Sequence, residues 1–231
     1  MNILSIDTST KNFSICVSRD EKILKQRNLT LNKVLSDSIT PAIQSILKQS
    51  GLKLSQIDGF AVGLGPGSFT SLRVGVATVK ALAFATKKKI VGMSSLDVLA
   101  LNVQEQEAQV CVLCDARRNL VYSCIYQKKG KTLRKKSPYL LTDIKTVLAR
   151  LKGETVFIGD GIDLYKKDIQ KEKKRIKAIF CDPKLWYPQA SCLAVLALER
   201  FRKKKYDDIN KLVPLYLYPK DCQVVRKQSR K

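Results

Sequence analysis

The apolar residues of this chain change rhythm several times, and each change marks an element. Residues 3–6 and 13–17 are short apolar runs on either side of the polar stretch Asp7-Thr8-Ser9-Thr10-Lys11-Asn12. They read as a strand pair with a polar turn, and residues 23–29 as a third strand. From residue 33 to 49 the period lengthens: Leu35, Ile39, Ile43, Ile46 and Leu47 draw one apolar stripe down a helix that Gly51 ends. A strand follows over 57–64, then a helix over 69–85 that is apolar almost all round. One of its faces carries Leu72, Val76, Val79 and Ala83, the other Val74, Thr78, Ala81 and Ala85, with Gly75 and Ala77 beside it. A short strand over 90–92 and a helix opening at Ser94-Ser95 and running towards Gln104 complete the first half.

The second half restarts the pattern. Strands over 110–115 and 120–126 flank the polar turn Asp115-Ala116-Arg117-Arg118-Asn119, so Asp7 lines up with Asp115 and Asn12 with Asn119. This suggests an internal duplication, with subdomains over 1–105 and 106–231. A helix over 142–151, a strand over 155–158 ending in Gly159-Asp160-Gly161, and a helix over 188–205 follow. The tail after Pro219 reads as basic and disordered.

Between the 57–64 strand and the 69–85 helix lies Gly63-Leu64-Gly65-Pro66-Gly67-Ser68-Phe69-Thr70-Ser71-Leu72-Arg73. Glycines permit a tight reversal with positive φ, and Ser68 is placed as an N-cap whose hydroxyl satisfies a free helix N–H. Such a turn can hold an anion on its backbone N–H groups, making Gly65, Gly67 and Ser68 candidates together with Asp7, Thr8, Ser9 and Asp115 on the two polar turns. The competing reading is that the glycines only let helix and strand pack closely. No Gly-Lys-Ser/Thr follows, so this is no P-loop, and no acidic residue stands where a dinucleotide fingerprint requires one.

Histidine is absent, which excludes Ser-His-Asp and Cys-His catalysis and histidine-ligated metal within the chain. The seven cysteines are odd in number and scattered through apolar segments, as buried thiols of a reducing compartment are. Cys111 and Cys114 lie three apart in a strand and point to opposite faces, which argues against a metal or redox pair. No basic segment leads into an apolar stretch at the amino terminus and no apolar run approaches membrane-spanning length, so a soluble cytoplasmic protein is expected. The formal net charge is +23, and it is uneven: residues 1–105 carry 13 basic and 7 acidic side chains, residues 106–231 carry 30 and 13. The basic half suggests an acidic partner such as RNA, with Lys173, Lys174 and Arg175 as candidate contacts, although a lysine-rich solvated surface gives the same count.

The glycine run is similar to the Gly-Pro-Gly-Ser-Phe-Thr-Gly-Leu-Arg signature of the TsaB (YeaZ) family, with Ser71 in place of the family's glycine. The resemblance continues in Ile-Asp-Thr-Ser at 6–9, Ile-Val-Gly-Met-Ser-Ser-Leu at 90–96, Asp-Ala-Arg-Arg at 115–118 and Pro-Leu-Tyr-Leu at 214–217. Tyr218 stands where the family often has arginine. The duplicated strand-Asp-turn-strand unit also resembles the actin, sugar-kinase and Hsp70 ATPase (ASKHA) superfamily, of which TsaB is a reduced version. The resemblance implies an α/β fold of two related subdomains, each with a mixed sheet and flanking helices.

It further implies a non-catalytic subunit needed to form the threonylcarbamoyl group on the adenosine beside the anticodon of tRNAs that read codons beginning with adenine. Such a subunit is a scaffold and activator of TsaD, pairs with it as a heterodimer, is assisted by TsaE, and meets tRNA through the complex. ATP and metal are expected on the partner subunits, with no cofactor or metal on this chain. The interface expected from the two first-half helices comprises Leu35, Ile39, Ile43, Leu72, Val74, Gly75, Thr78, Ala81 and Ala85, with a homodimer through the same surface when TsaD is missing. The chain's own 188–205 helix is the alternative cover for that face.

Three other readings stay open. A small ATP-dependent phosphotransferase would use Asp7 and Asp115 with the hydroxyls of Thr8, Ser9 and Thr10 to hold Mg²⁺ and phosphates. Against it, both carboxylates suit Asx-turns, and the second turn offers Ala116 and Arg117 in place of hydroxyls. A peptidase is disfavoured by the missing histidine. In the third, the basic half binds RNA by itself.

Overall fold

The computed structural model describes residues 1–218 except 31–34, 106 and 131. The predicted start of the first helix at residues 33 and 34 and the predicted tail after Pro219 therefore lie outside the described residues.

Two sheets carry the fold. The first half gives β1 (Asn2–Asp7), β2 (Asn12–Arg19), β3 (Lys22–Thr30), α1 (Leu35–Gln49), β4 (Gly59–Gly63), α2 (Phe69–Thr86), β5 (Lys89–Met93) and α3 (Ser95–Leu101). The second gives β6 (Glu107–Asp115), β7 (Val121–Lys129), β8 (Thr132–Lys135), β9 (Leu140–Thr142), α4 (Ile144–Ala149), β10 (Gly153–Ile158), α5 (Ile162–Lys171), β11 (Ile176–Phe180) and α6 (Ala190–Arg202). The sheets run β3-β2-β1-β4-β5 and β8-β7-β6-β10-β11, with β9 added on β7. In each, an antiparallel pair (β1·β2, β6·β7) continues into two parallel strands. The matching strand orders support the internal duplication read from the two Asp turns.

Alternation along β1 explains the layers of the first lobe. Leu4 and Ile6 point to one face with Phe13, Ile15, Val17, Phe60 and Val62, where α1 and α2 bury Ile39, Ile43, Ile46, Val76 and Val79. Ile3 points to the other face with Ala61 and Val91, where α6 buries Leu193, Ala197 and Phe201.

That second contact corrects the domain boundary. The boundary drawn from sequence parts the strands of the two sheets, but α6 lies on the first sheet, and the segment after it stays there. Asp207 N–H donates to Ile90 O at 3.0 Å, the Asp207 carboxylate accepts from Gly92 N at 2.7 Å and from Arg200, and Leu212 is buried beside Ile90. The chain passes to the second lobe and returns. It also settles how the outer face of α2 is not covered: the last helix occupies the opposite side of the sheet.

Several elements are shorter than their patterns suggest. The helix predicted towards Gln104 ends at Leu101, and those predicted over 142–151 and 188–205 span 144–149 and 190–202. β8, β9, α5 and β11 have no counterpart in the sequence reading. Their sequences, such as Ile162-Asp-Leu-Tyr-Lys-Lys-Asp-Ile-Gln-Lys171, bury at most two residues each, none in β8 or β9, and read as polar connections.

Candidate functional site

The carboxyl ends of β1 and β6 bring the two Asp turns to opposite walls of a cleft of about 380 Å³. Ser9, Thr10, Lys11, Gly67 and Ser68 line one side, and Asp115, Ala116, Arg117 and Asp160 the other. The two turns predicted from sequence are thus brought together, but their chemistry differs from a nucleotide clamp.

Asp7 and Thr8 do not reach the cleft. Asp7 is 1% exposed; its Oδ1 accepts from Ser9 N–H at 2.9 Å and Ser9 Oγ at 2.6 Å, and its Oδ2 accepts from Ser95 Oγ at 2.7 Å. Thr8 is fully buried and donates to Ser71 O at 2.9 Å. Asp7 therefore forms an Asx-turn and ties β1 to the start of α3. Burial raises its carboxyl above 3.8, opposed by the bonds from Ser9 and Ser95.

A pH consequence follows from that direction. With the folded carboxyl raised, the native state holds more protons than the unfolded one above 3.8, so stability falls as pH rises through the folded value and then levels. Asp7→Asn keeps the acceptor for Ser9, removes the buried charge, and requires Ser95 Oγ to accept instead of donate. Its thermal midpoint at pH 7 is expected to match or exceed the parent's, within about 1 kcal/mol, with a flatter profile above pH 3.8. A large loss at pH 7 would mean that the ionised carboxylate holds the turn.

The glycines serve packing. A Cβ on Gly63 would strike the Asp7 carboxylate, one on Gly67 the Ser9 carbonyl, and one on Gly75 the Thr8 side chain, each well inside 3.0 Å. Within the glycine run only Gly65 has positive φ, at 86°. The Ser68 N–H, which an anion would need, donates to Ser9 O at 2.7 Å. Ser68 occupies the N-cap position of α2, but its hydroxyl makes no capping bond and pairs with Ser71 Oγ at 3.0 Å, a correction to the cap expected from sequence.

The opposite wall is no better suited to Mg²⁺ and phosphates. Asp115 accepts from Arg117 N–H at 2.8 Å and pairs with the Arg117 guanidinium at 3.2 Å, while its own N–H donates to Asp160 Oδ1 at 3.0 Å. Burial raises the Asp160 carboxyl. Among the described residues no group of three His, Cys, Asp or Glu side chains could hold a metal ion. Cys111 is buried in the core with its thiol pushed up to about 12, whereas Cys114 reaches the cleft; the six described cysteines are free. The residues present do not fit an ATP–Mg²⁺ clamp.

Two features of the cleft have no counterpart in the sequence reading. Arg117, Arg118 and Asn119 all have positive φ (65°, 52° and 58°), a run that costs non-glycine residues roughly 1–2 kcal/mol each. And the segment 215–218 straps the outer side: Leu215 N–H donates to Leu64 O at 2.8 Å, Tyr216 stacks on Phe69 with centroids 5.3 Å apart, and Tyr218 donates to Ala116 O at 2.8 Å. The tyrosine standing at the family's arginine position thus braces the second turn.

The second candidate surface is the outer face of α2. Ala77, Ala81 and Ala85 are exposed, Val74 and Thr78 are half-buried, and Phe84 is 78% exposed. Leu35, Ile39, Ile43, Leu72 and Gly75 are not part of it. The first four are buried in the chain's own core, and Gly75 faces Thr8, so these five are corrected from interface to interior. Phe84 was missed, although it falls at the helical spacing i+3 from Ala81.

Lys173 and Lys174 are exposed. Arg175 is committed locally, donating to Ala149 O, Leu151 O and Glu172.

A family model described as TsaD, tRNA N6-adenosine threonylcarbamoyltransferase, matches residues 30–225. The tRNA threonylcarbamoyladenosine biosynthesis protein TsaB of Bacillus subtilis (strain 168) is 30% identical over 100% of both chains, and that of Escherichia coli (strain K12) is 29% identical over 94% of each. YeaZ from Pseudomonas aeruginosa superposes with TM-score 0.80 at 24% identity, covering 94% of this chain and 99% of that one. The activator of 2-hydroxyisocaproyl-CoA dehydratase from Clostridium difficile superposes with TM-score 0.50 at 10% identity, covering 89% and 97%. The two structural likenesses are of fold, and they agree with the actin-like, sugar-kinase-like architecture read from the duplicated turns.

Proposed function

The chain belongs to the TsaB family of tRNA threonylcarbamoyladenosine biosynthesis proteins, and from that membership we propose that it is the non-catalytic subunit that binds and activates TsaD in the cytoplasm. The observation that carries this reading is the pairing of a sealed first turn with an open helix face. Asp7, the carboxylate that a phosphotransferase of this fold would offer to metal, is spent on Ser9 and Ser95, while α2 presents Ala77, Ala81, Phe84 and Ala85 to solvent. Small residues allow another helix to approach closely, and an exposed apolar patch of this kind marks a protein contact. In this reading the corresponding helices of TsaD cover α2, a second copy does so when TsaD is absent, and TsaE joins the pair. ATP and metal reside on the partners.

Absence of histidine and the spent Asp7 favour this over autonomous catalysis. The test is co-expression with TsaD and TsaE followed by assay of threonylcarbamoyl transfer to tRNA. The chain is expected to co-purify with TsaD, to be required for turnover, and to give none alone. Transfer by the isolated chain, or measurable Mg-ATP binding to it by titration calorimetry, would overturn the proposal in favour of an enzyme.

A further inference from the structure

The second lobe, residues 107–189, carries 19 basic and 9 acidic side chains, and its fold gathers part of that excess around one groove. The groove, about 540 Å³, runs between α5 and the edge strand β11, with Ile169, Ile176 and Phe180 along its floor and Lys173 and Lys177 on its rim. The half-buried Phe180 ring is backed by Phe157, centroids 5.8 Å apart, and Lys166 Nζ lies over the ring 5.2 Å from its centroid, a contact the flexible lysine gives up when a base takes its place. At one end the turn before β11 is bonded to the turn before β10: Gly153 N–H donates to Arg175 O at 2.9 Å, and Arg175 Nη1 donates to Ala149 O at 3.3 Å and Leu151 O at 3.1 Å. This sets the exposed Arg150 and Lys152 beside Lys173 and Lys174.

Three of the carboxylates nearby are already taken, while Asp163, at the start of α5, is in no ion pair among the described residues. Glu172 pairs with Arg175 at 2.8 Å, Glu154 with Lys177 at 2.6 Å and Asp168 with Lys171 at 2.8 Å. Arg150, Lys152, Lys166, Lys173 and Lys174 form no ion pair among the described residues. A lysine on an edge strand can simply discourage pairing with another sheet, and Lys177 suffices for that. It does not account for five uncompensated cations on the two turns and helix around the strand.

We propose that this groove is a docking surface for an RNA strand. A fixed aromatic face flanked by cations suits a base stacked on Phe180 with phosphates on Lys166 and on the Lys173–Lys174 side. An acidic peptide would need only the charges, and tRNA is the substrate of the family's pathway. Arg175 acts here as the brace that joins the two basic turns, which gives it a role other than the direct contact expected from sequence. The inference concerns the chain itself and does not depend on how it pairs with TsaD.

The test is binding of an unmodified tRNA transcript to the full chain over a range of salt. Combined Lys166→Glu, Lys173→Glu and Lys174→Glu is expected to weaken binding at least about tenfold at low salt and to make the slope of log K against log salt shallower by about 2 to 3. Phe180→Leu, which keeps contact with Phe157, is expected to weaken binding about fivefold or more at unchanged slope. Reversal of three exposed first-lobe lysines, Lys22, Lys25 and Lys48, is the matched control, expected to shift the slope by less than about 1. Equal losses in control and groove variants would overturn the proposal, leaving only diffuse charge. So would competition by polyglutamate as effective as that of RNA, which would make the groove an acidic-peptide site, or absence of tRNA binding by the parent at low salt.

Discussion

Replacing Ala81 by arginine is expected to abolish both self-association and co-purification with TsaD while leaving the thermal midpoint of the chain unchanged. Ala81 is exposed at the middle of the outer face of α2, so the new side chain meets only water in the isolated chain, where surface changes stay within about 0.5 kcal/mol. In a complex the same guanidinium would be buried against apolar residues with no partner, at a cost of roughly 3 kcal/mol or more, over 100-fold in Kd. A specific interface of standard size buries about 1,600 Å² in total.

Phe84→Ala provides a second probe that removes contact instead of adding charge. At 78% exposure the ring contributes little to the fold, yet it is larger than the Val74, Ala77, Ala81 and Ala85 side chains beside it and fits the profile of a binding hot spot. Its truncation is expected to cost about 2 kcal/mol of association with no loss of stability. If both variants pair normally in size-exclusion chromatography and pull-down, the interface lies elsewhere.

The sequence reading reached these two helices but misassigned part of their surface, and the reason is physical. An apolar stripe marks a face that is covered without saying by what. Leu35, Ile39 and Ile43 satisfy the same period whether they face the chain's own sheet or another molecule, and Phe13, Ile15 and Val17 of β2 provide the cover here. On α2 the buried face was traced by Leu72, Val76, Val79 and Ala83 repeating at 3.6, yet Leu72 of that face was also assigned to the interface, and Gly75, whose lack of a side chain gives no signal of side, went with it. The duplication was legible because both hairpins keep a strand-Asp-turn-strand order. The burial of Asp7 was not, since two residues that close it in, Gly63 and Ser95, are 56 and 88 positions away in the chain. The second lobe was legible mainly in β6 and β7: β11 and α5 bury few residues, and lysine-rich segments carry too weak an apolar period to stand out.

The largest effect on the fold is expected from Gly67→Ala. The position needs no unusual backbone angle, so the substitution would ordinarily be neutral or gain about 0.4–1 kcal/mol through the unfolded state. Here the new methyl would overlap the carbonyl of Ser9, a backbone group held in place by the Ser68 N–H bond at 2.7 Å and by the Asp7 turn. Neither side can retreat without opening the turn, and overpacking of this kind costs about 1–3 kcal/mol or more. At about 2–4 °C per kcal/mol for a chain of this size, a fall of roughly 6–12 °C in Tm is expected for a cost of 3 kcal/mol. Gly75→Ala differs in a way that can be measured. Its methyl would meet the Thr8 side chain, so adding Thr8→Ala removes the two nearest atoms and leaves only Cβ at 3.1 Å, and the double variant should recover stability beyond the sum of the single changes despite losing the Thr8 bond to Ser71 O. No side-chain change can relieve Gly67→Ala. If Gly67→Ala is as stable as the parent, the turn is looser than the Ser9–Ser68 bond implies, and the first wall of the cleft is free to open for a ligand.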